Sequence, residues 1–157
     1  MLLPTLDLGN EPSHSTSRKM LDSLGEYTFV NWGSVERSFI PLASFGFFDC
    51  SALAAFYGDC SGSLAHVKHD YCVPDRVLLE QYLEKLVDSS NSTCFVAANS
   101  ESRIELIVRT AGERGAKIGG SFIFSDHVGP KPKDIIVFPH IRQVRIYSTM
   151  GVEIRTV

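Results

Sequence analysis

A thiol and an imidazole stand at the ends of two short apolar runs. Asp49-Cys50-Ser51-Ala52-Leu53-Ala54-Ala55-Phe56-Tyr57 is followed closely by Gly62-Ser63-Leu64-Ala65-His66-Val67. A cysteine thiol is mostly protonated at neutral pH, and a neighbouring imidazole that takes its proton leaves a thiolate able to attack carbonyl carbon. Gly58, Asp59, Ser61 and Gly62 supply turn chemistry between the runs, so they read as a hairpin of two buried strands. Pairing about a turn centred near Gly58 puts Cys50 and His66 roughly opposite each other, within cross-strand reach.

A second placement is open at this stage. Asp49 is a good helix cap, and Ala52, Leu53, Ala54 and Ala55 are good helix formers, which would set Cys50 in a helical first turn where its pKa falls. That arrangement would resemble a papain-type cysteine hydrolase, with its base drawn from His127 or His140.

The order Cys, small apolar strand, turn, Gly, Ala-His-Val resembles a superfamily of cysteine hydrolases. It includes the chemoreceptor glutamine deamidases, the catalytic domains of cytotoxic necrotizing factors, and the laccase-domain purine nucleoside enzymes. The matching residues are Cys50, Gly62 and Ala65-His66-Val67, and Ser44 stands where the family has a hydroxyl residue, usually Thr, shortly before the cysteine. The resemblance covers Ser44 to Val67, and Phe47-Phe48-Asp49 depart from it, because the family carries small residues there.

The resemblance implies an enzyme without a cofactor: a protein glutamine deamidase working through a Cys50 thioester. His66 would be its base, Ser44 the orienting hydroxyl, and a glutamine-bearing protein its substrate. It leaves open a role in chemotaxis or as a toxin-like effector, and implies a layered α+β fold. A non-catalytic binding or regulatory domain on that fold is the alternative, with Phe47, Phe48 and Asp49 filling the old site. A catalytic Cys50 is expected to show a depressed pKa and to alkylate ahead of Cys60, Cys72 and Cys94.

His66, His69, Cys72 and Cys60 raise zinc, but His66 and His69 would point to opposite faces of a continuing strand, so no metal is assigned. Trp32, beside Gly33, reads as partial core or a turn anchor.

The elements that must position these residues follow from periodicity. Gly9 to Arg18 is polar and turn-rich, so residues 1–25 read as an irregular arm, ahead of a single catalytic domain over 26–157. Tyr27 to Val30 and Val35 to Leu42 have strand composition. Leu78, Leu79, Tyr82, Leu83 and Leu86 mark a helix after Asp75, and Thr93 to Ala98 a buried strand. Ser102 and Glu105 suit a capping box for a second helix. Ser121 to Phe124, Ile135 to Phe138, Val144 to Tyr147 and Val152 to Val157 complete the strands, with Gly119-Gly120 read as a flexible lead-in. The fold expected is α+β, a layered sandwich of mixed β-sheets flanked by two or three helices.

At 157 residues, 44% hydrophobic and 21% charged, the chain suits one globular domain. A net charge of −3 offers no general attraction to nucleic acid or anionic membrane. No apolar run is long enough to span a bilayer, and no Sec-type signal is visible. A cytoplasmic protein is expected, or an effector exported without such a signal, with its cysteines reduced.

Overall fold

The computed structural model describes residues 10–69, 75–87, 92–124 and 131–157. The order is α1 (Ser15–Leu24), β1 (Thr28–Phe29), β2 (Val35–Ser38), β3 (Leu42–Phe47), β4 (Ser51–Tyr57), β5 (Gly62–Val67), α2 (Asp75–Leu86), β6 (Ser92–Ala98), α3 (Glu101–Glu113), β7 (Lys117–Ile123), β8 (Lys133–Phe138), a 3-10 turn (Pro139–Ile141), β9 (Gln143–Ser148) and β10 (Gly151–Thr156). Two five-stranded sheets result, ordered β1-β3-β8-β9-β10 and β2-β5-β4-β6-β7. Each is antiparallel except for one parallel pair, β1 with β3 and β6 with β7. This is the expected α+β sandwich.

Alternation along the strands divides the core into layers. Between the sheets lie Leu42, Phe47, Ala54, Phe56, Leu64, Phe95, Ile135 and Ile146. The other face of the second sheet, with Leu53, Ala65 and Val96, is covered by Leu79, Leu83 and Leu86 of α2 and Ile104 and Ile107 of α3. α1 covers part of the first sheet's outer face, setting Leu21 against Phe45 and Ile136.

Four expectations change. The N-terminal segment is not irregular throughout: Ser15–Leu24 is a helix, and the buried carboxylate of Asp134 draws its start onto the sheet. That carboxylate accepts from the backbone N–H groups of Ser13 and His14 at 2.7 and 3.2 Å and from the Ser17 hydroxyl at 2.5 Å. A negative charge at a helix N-terminus satisfies donors that the helix itself cannot.

The run Val35 to Leu42 is not one strand, because Pro41 cannot donate to a ladder. The chain leaves β2 in one sheet and enters β3 in the other, with the Ser38 hydroxyl accepting from Ile40 N–H at 3.1 Å in between. Lastly, α3 is capped by Ser100, not Ser102; its hydroxyl accepts from Arg103 N–H at 3.3 Å. Gly119 lies inside β7 for want of space, since a Cβ there would stand 2.6 Å from Val157 Cγ1.

Candidate active site

The crossing from β2 to β3 lays a strand of one sheet over His66 of the other. In a regular strand Ser44 and Phe47 would point to opposite faces. Here the β3 register against β8 shifts between Ser44 and Phe47, where Gly46 takes φ 71°, a conformation glycine adopts without steric cost. One extra residue is accommodated, and both side chains face the interior. Phe47 stacks on the His66 ring, 3.7 Å between centroids and 9° between planes. Gly46 N–H also reaches the Asp134 carboxylate, at 3.4 Å, so the bulge and the start of α1 share one anchor.

His66 is 1% exposed. Its backbone is held by the turn before β2: Gly33 N–H donates to its carbonyl at 3.0 Å, and its own N–H donates to Ser34 O at 3.1 Å. Burial pushes the imidazole pKa down to about 3, so the ring is neutral at physiological pH.

The tautomer follows from its partners. The Ser44 hydroxyl has one hydrogen, donated to the Val30 carbonyl at 2.6 Å, and a carbonyl can only accept. Ser44 Oγ therefore accepts in its 2.8 Å contact with His66 Nδ1, which carries the hydrogen. The lone pair is left on Nε2, which is buried and, among the described residues, has no hydrogen-bond partner, Cys50 Sγ included. A buried acceptor without a donor is uncommon in proteins, and it is the state a general base requires.

Cys50 stands one residue before β4. The hairpin expectation holds in type but not in register: His66 pairs with Ala52, which makes Cys50 and His66 diagonal neighbours instead of a directly opposed pair. A shift of two residues preserves the face, and Cys50 packs against the inter-sheet core on His66's side of the sheet. The helical alternative for this segment does not form.

The Cys50 sulfur accepts the Trp32 indole N–H at 3.1 Å. Burial pushes the thiol pKa up; the indole hydrogen bond opposes this, Asp49 adds to it, and Arg103 offsets it. The expected depressed pKa is therefore absent, and the resting pair is a neutral thiol and a neutral imidazole. Trp32 sits at the tip of the turn Asn31 to Ser34, where Gly33 supplies a positive φ of 79°, and is 54% exposed.

Phe47 and Asp49, the departures from the resembling family, have structural partners. Arg103 Nη1 of α3 donates to the Asp49 carbonyl at 2.7 Å and to its carboxylate at 2.8 Å, and Asn99 Nδ2 donates to the same carboxylate at 2.8 Å. These donors, Arg103 first, hold the Asp49 carboxyl below its usual range against a smaller effect of burial. Because the peptide is planar and trans, fixing the Asp49 carbonyl also fixes the direction of the Cys50 N–H on its far side.

The other candidates separate from this cluster. His140 lies in the 3-10 turn and is exposed, beside Pro139, which packs on Gly62 at the far end of β5 from His66. His127 lies outside the described residues. His69 Nε2 meets the Ser51 hydroxyl at 3.0 Å and its Nδ1 stands 3.5 Å from Asp75, against the helix layer. Among the described residues, no group of three or more His, Cys, Asp or Glu side chains could hold a metal; Cys72 lies outside them. Cys50, Cys60 and Cys94 are free thiols, and burial pushes Cys94 up to about 11.

Trp32, Phe47, Gly46 and Arg103 are the site residues that sequence reasoning missed or misassigned. A lone indole N–H beside a turn glycine, and a glycine inside the apolar run Phe45-Gly46-Phe47, were the available signals. Arg103 carried none, being far away in sequence.

Compared with known proteins, the chain matches no family model and has no significant match among curated proteins. No helix among the described residues is long and apolar enough to cross a membrane.

Proposed function

We propose that the chain is a thiol amidohydrolase that converts a glutamine side chain of another protein to glutamate. The observation that carries this reading is the hydrogen-bond chain Val30 O, Ser44 Oγ, His66 Nδ1, which leaves the Nε2 lone pair unpartnered among the described residues, in the face that Cys50 shares. The match of Ser44, Cys50 and His66 to the hydroxyl, thiol and imidazole of the cysteine deamidases supports the same reaction.

His66 Nε2 takes the Cys50 proton as the sulfur attacks the carboxamide carbon, and the Trp32 N–H stabilises negative charge on sulfur. The oxyanion is met by backbone N–H groups at Cys50, aimed by the hold of Arg103 on the Asp49 carbonyl. The proton on Nε2 passes to the leaving nitrogen, the C–N bond breaks, and ammonia departs with a thioester left on Cys50. Water, losing a proton to Nε2, adds to the thioester; the C–S bond breaks, and the thiol and a glutamate carboxyl are regenerated. Because the resting pair is neutral, the thiolate forms during attack and not beforehand.

The test is mass spectrometry of proteins incubated with the chain. A gain of about one dalton at a glutamine, absent with Cys50→Ser, is expected from exchange of NH₂ for OH. The same gain with Cys50→Ser would remove the thiol from the reaction.

A further inference from the structure

Next to the turn that carries Trp32 lies a polar cleft of about 120 Å³, walled by Gly33 and Lys68 on one side and Gln81, Tyr82 and Lys85 of α2 on the other. Its chemistry is one-sided. Lys68 and Lys85 bring two ammonium groups, and among the described residues neither forms a salt bridge. No carboxylate is among the described residues that line it, and Asp49 and Glu80 are paired elsewhere, with Arg103 and Arg114.

The Tyr82 hydroxyl is the second observation. The side chain is buried at 5% exposure, and its oxygen accepts Lys68 N–H at 3.3 Å, but its own hydrogen meets no acceptor among the described residues. Burial pushes its pKa up, so it stays a donor at neutral pH. Three donors line a space to which the described residues contribute no carboxylate.

The cleft is linked to the reacting sulfur through Trp32. Lys68 Nζ stands 5.1 Å from the centre of the Trp32 ring, and that ring's N–H is on Cys50 Sγ.

We propose that this cleft is a substrate subsite that receives the carboxylate of an acidic residue next to the target glutamine, held by Lys68, Lys85 and the Tyr82 hydroxyl. The choice of a glutamine-bearing substrate rests on the deamidase reading; the anion preference of the cleft does not. An acidic neighbour would orient the glutamine over Cys50 through charge-assisted hydrogen bonds, with Lys68 and Lys85 acting on binding and not on bond breaking.

The experiment separates the two levels. Cys50 is modified with a pair of methanethiosulfonates, one anionic (sulfonatoethyl) and one cationic (trimethylammonioethyl), and each rate is read on the Cys50 peptide by mass spectrometry. The ratio of rates cancels the thiol pKa and reports the local field. Relative to a small free thiol it is expected to favour the anion by roughly fivefold or more at low salt, and less at high salt. The preference should collapse in Lys68→Gln/Lys85→Gln. Equal ratios in wild type and the double variant would overturn the subsite.

Paired glutamine peptides with Glu or Gln beside the target then read specificity. The subsite predicts faster deamidation of the Glu peptide, lost in the double variant. Preference for the neutral peptide, or for a phosphoserine neighbour over Glu, would overturn the carboxylate assignment. Anion preference at Cys50 with no deamidation of any peptide would count against the deamidase reading and leave the cleft standing.

Discussion

Ser44→Ala removes the group on which the site's proton inventory depends. The hydroxyl serves two buried partners, the Val30 carbonyl at 2.6 Å and His66 Nδ1–H at 2.8 Å, with Val30 at 0% and His66 at 1% exposure. Losing it leaves a buried acceptor and a buried donor without partners, each costing about 1–3 kcal/mol, so a loss on the order of 3 kcal/mol in unfolding free energy is expected. The ring also loses the contact that selects the Nδ1–H tautomer, and turnover should fall by roughly 5- to 150-fold, the equivalent of about 1–3 kcal/mol. Cys50 should still alkylate, because Ser44 does not touch its sulfur. Urea denaturation gives the first quantity, and deamidation kinetics together with Cys50 alkylation give the others. Ser44→Thr, which keeps the hydroxyl, should recover most of both losses. Wild-type stability and turnover in Ser44→Ala would show that the hydroxyl holds neither partner.

Four further outcomes are expected. The His66 pKa, lowered to about 3 in the folded chain, lies below its unfolded value, so the unfolded state binds more protons between about pH 6.5 and 3 and stability falls as pH drops through that window. The loss attributable to His66 is on the order of 4 kcal/mol by pH 3; His66→Gln should show a shallower acid limb in denaturation against pH, and an unchanged limb would contradict the burial argument. Trp32→Phe removes a hydrogen bond that lowers the Cys50 pKa, so the pH–rate profile for alkylation of Cys50 should move to higher pH. Arg103→Met should lower kcat about tenfold while costing about 1 kcal/mol of stability, because its ion-pair partner Asp49 is more than half exposed. Asp134→Ala should release the start of α1, seen as faster amide exchange over Ser13 to Ser17, and cost about 1–3 kcal/mol by leaving the part-buried N–H groups of Ser13 and His14 without their acceptor.

The strands of the hairpin were legible because an apolar run bounded by Gly, Asp and Ser has few other folds open to it. The pairing of Ser44 with His66 was legible only through resemblance: Pro41 diverts the chain between sheets, and no local pattern announces which strand then crosses which. Register was off by two residues because the turn residues Gly58 to Ser61 tolerate more than one centre, while the conserved parity kept Cys50 and His66 on one face. The helix at Ser15–Leu24 was hidden by its polar start, since the donor-satisfying group is Asp134, more than a hundred residues away. The direction of the Cys50 pKa shift could not be read at all, because burial is a tertiary property and here exceeds the effect of the indole donor.

If Cys50 and His66 act as one unit on a carboxamide, a double-mutant comparison of glutamine deamidation measures it. Cys50→Ser, His66→Ala and the double variant are expected to lose the same large factor, because removing either the nucleophile or its base already removes the pathway. Multiplicative losses in the double variant, or deamidation by His66→Ala at the wild-type rate, would contradict it.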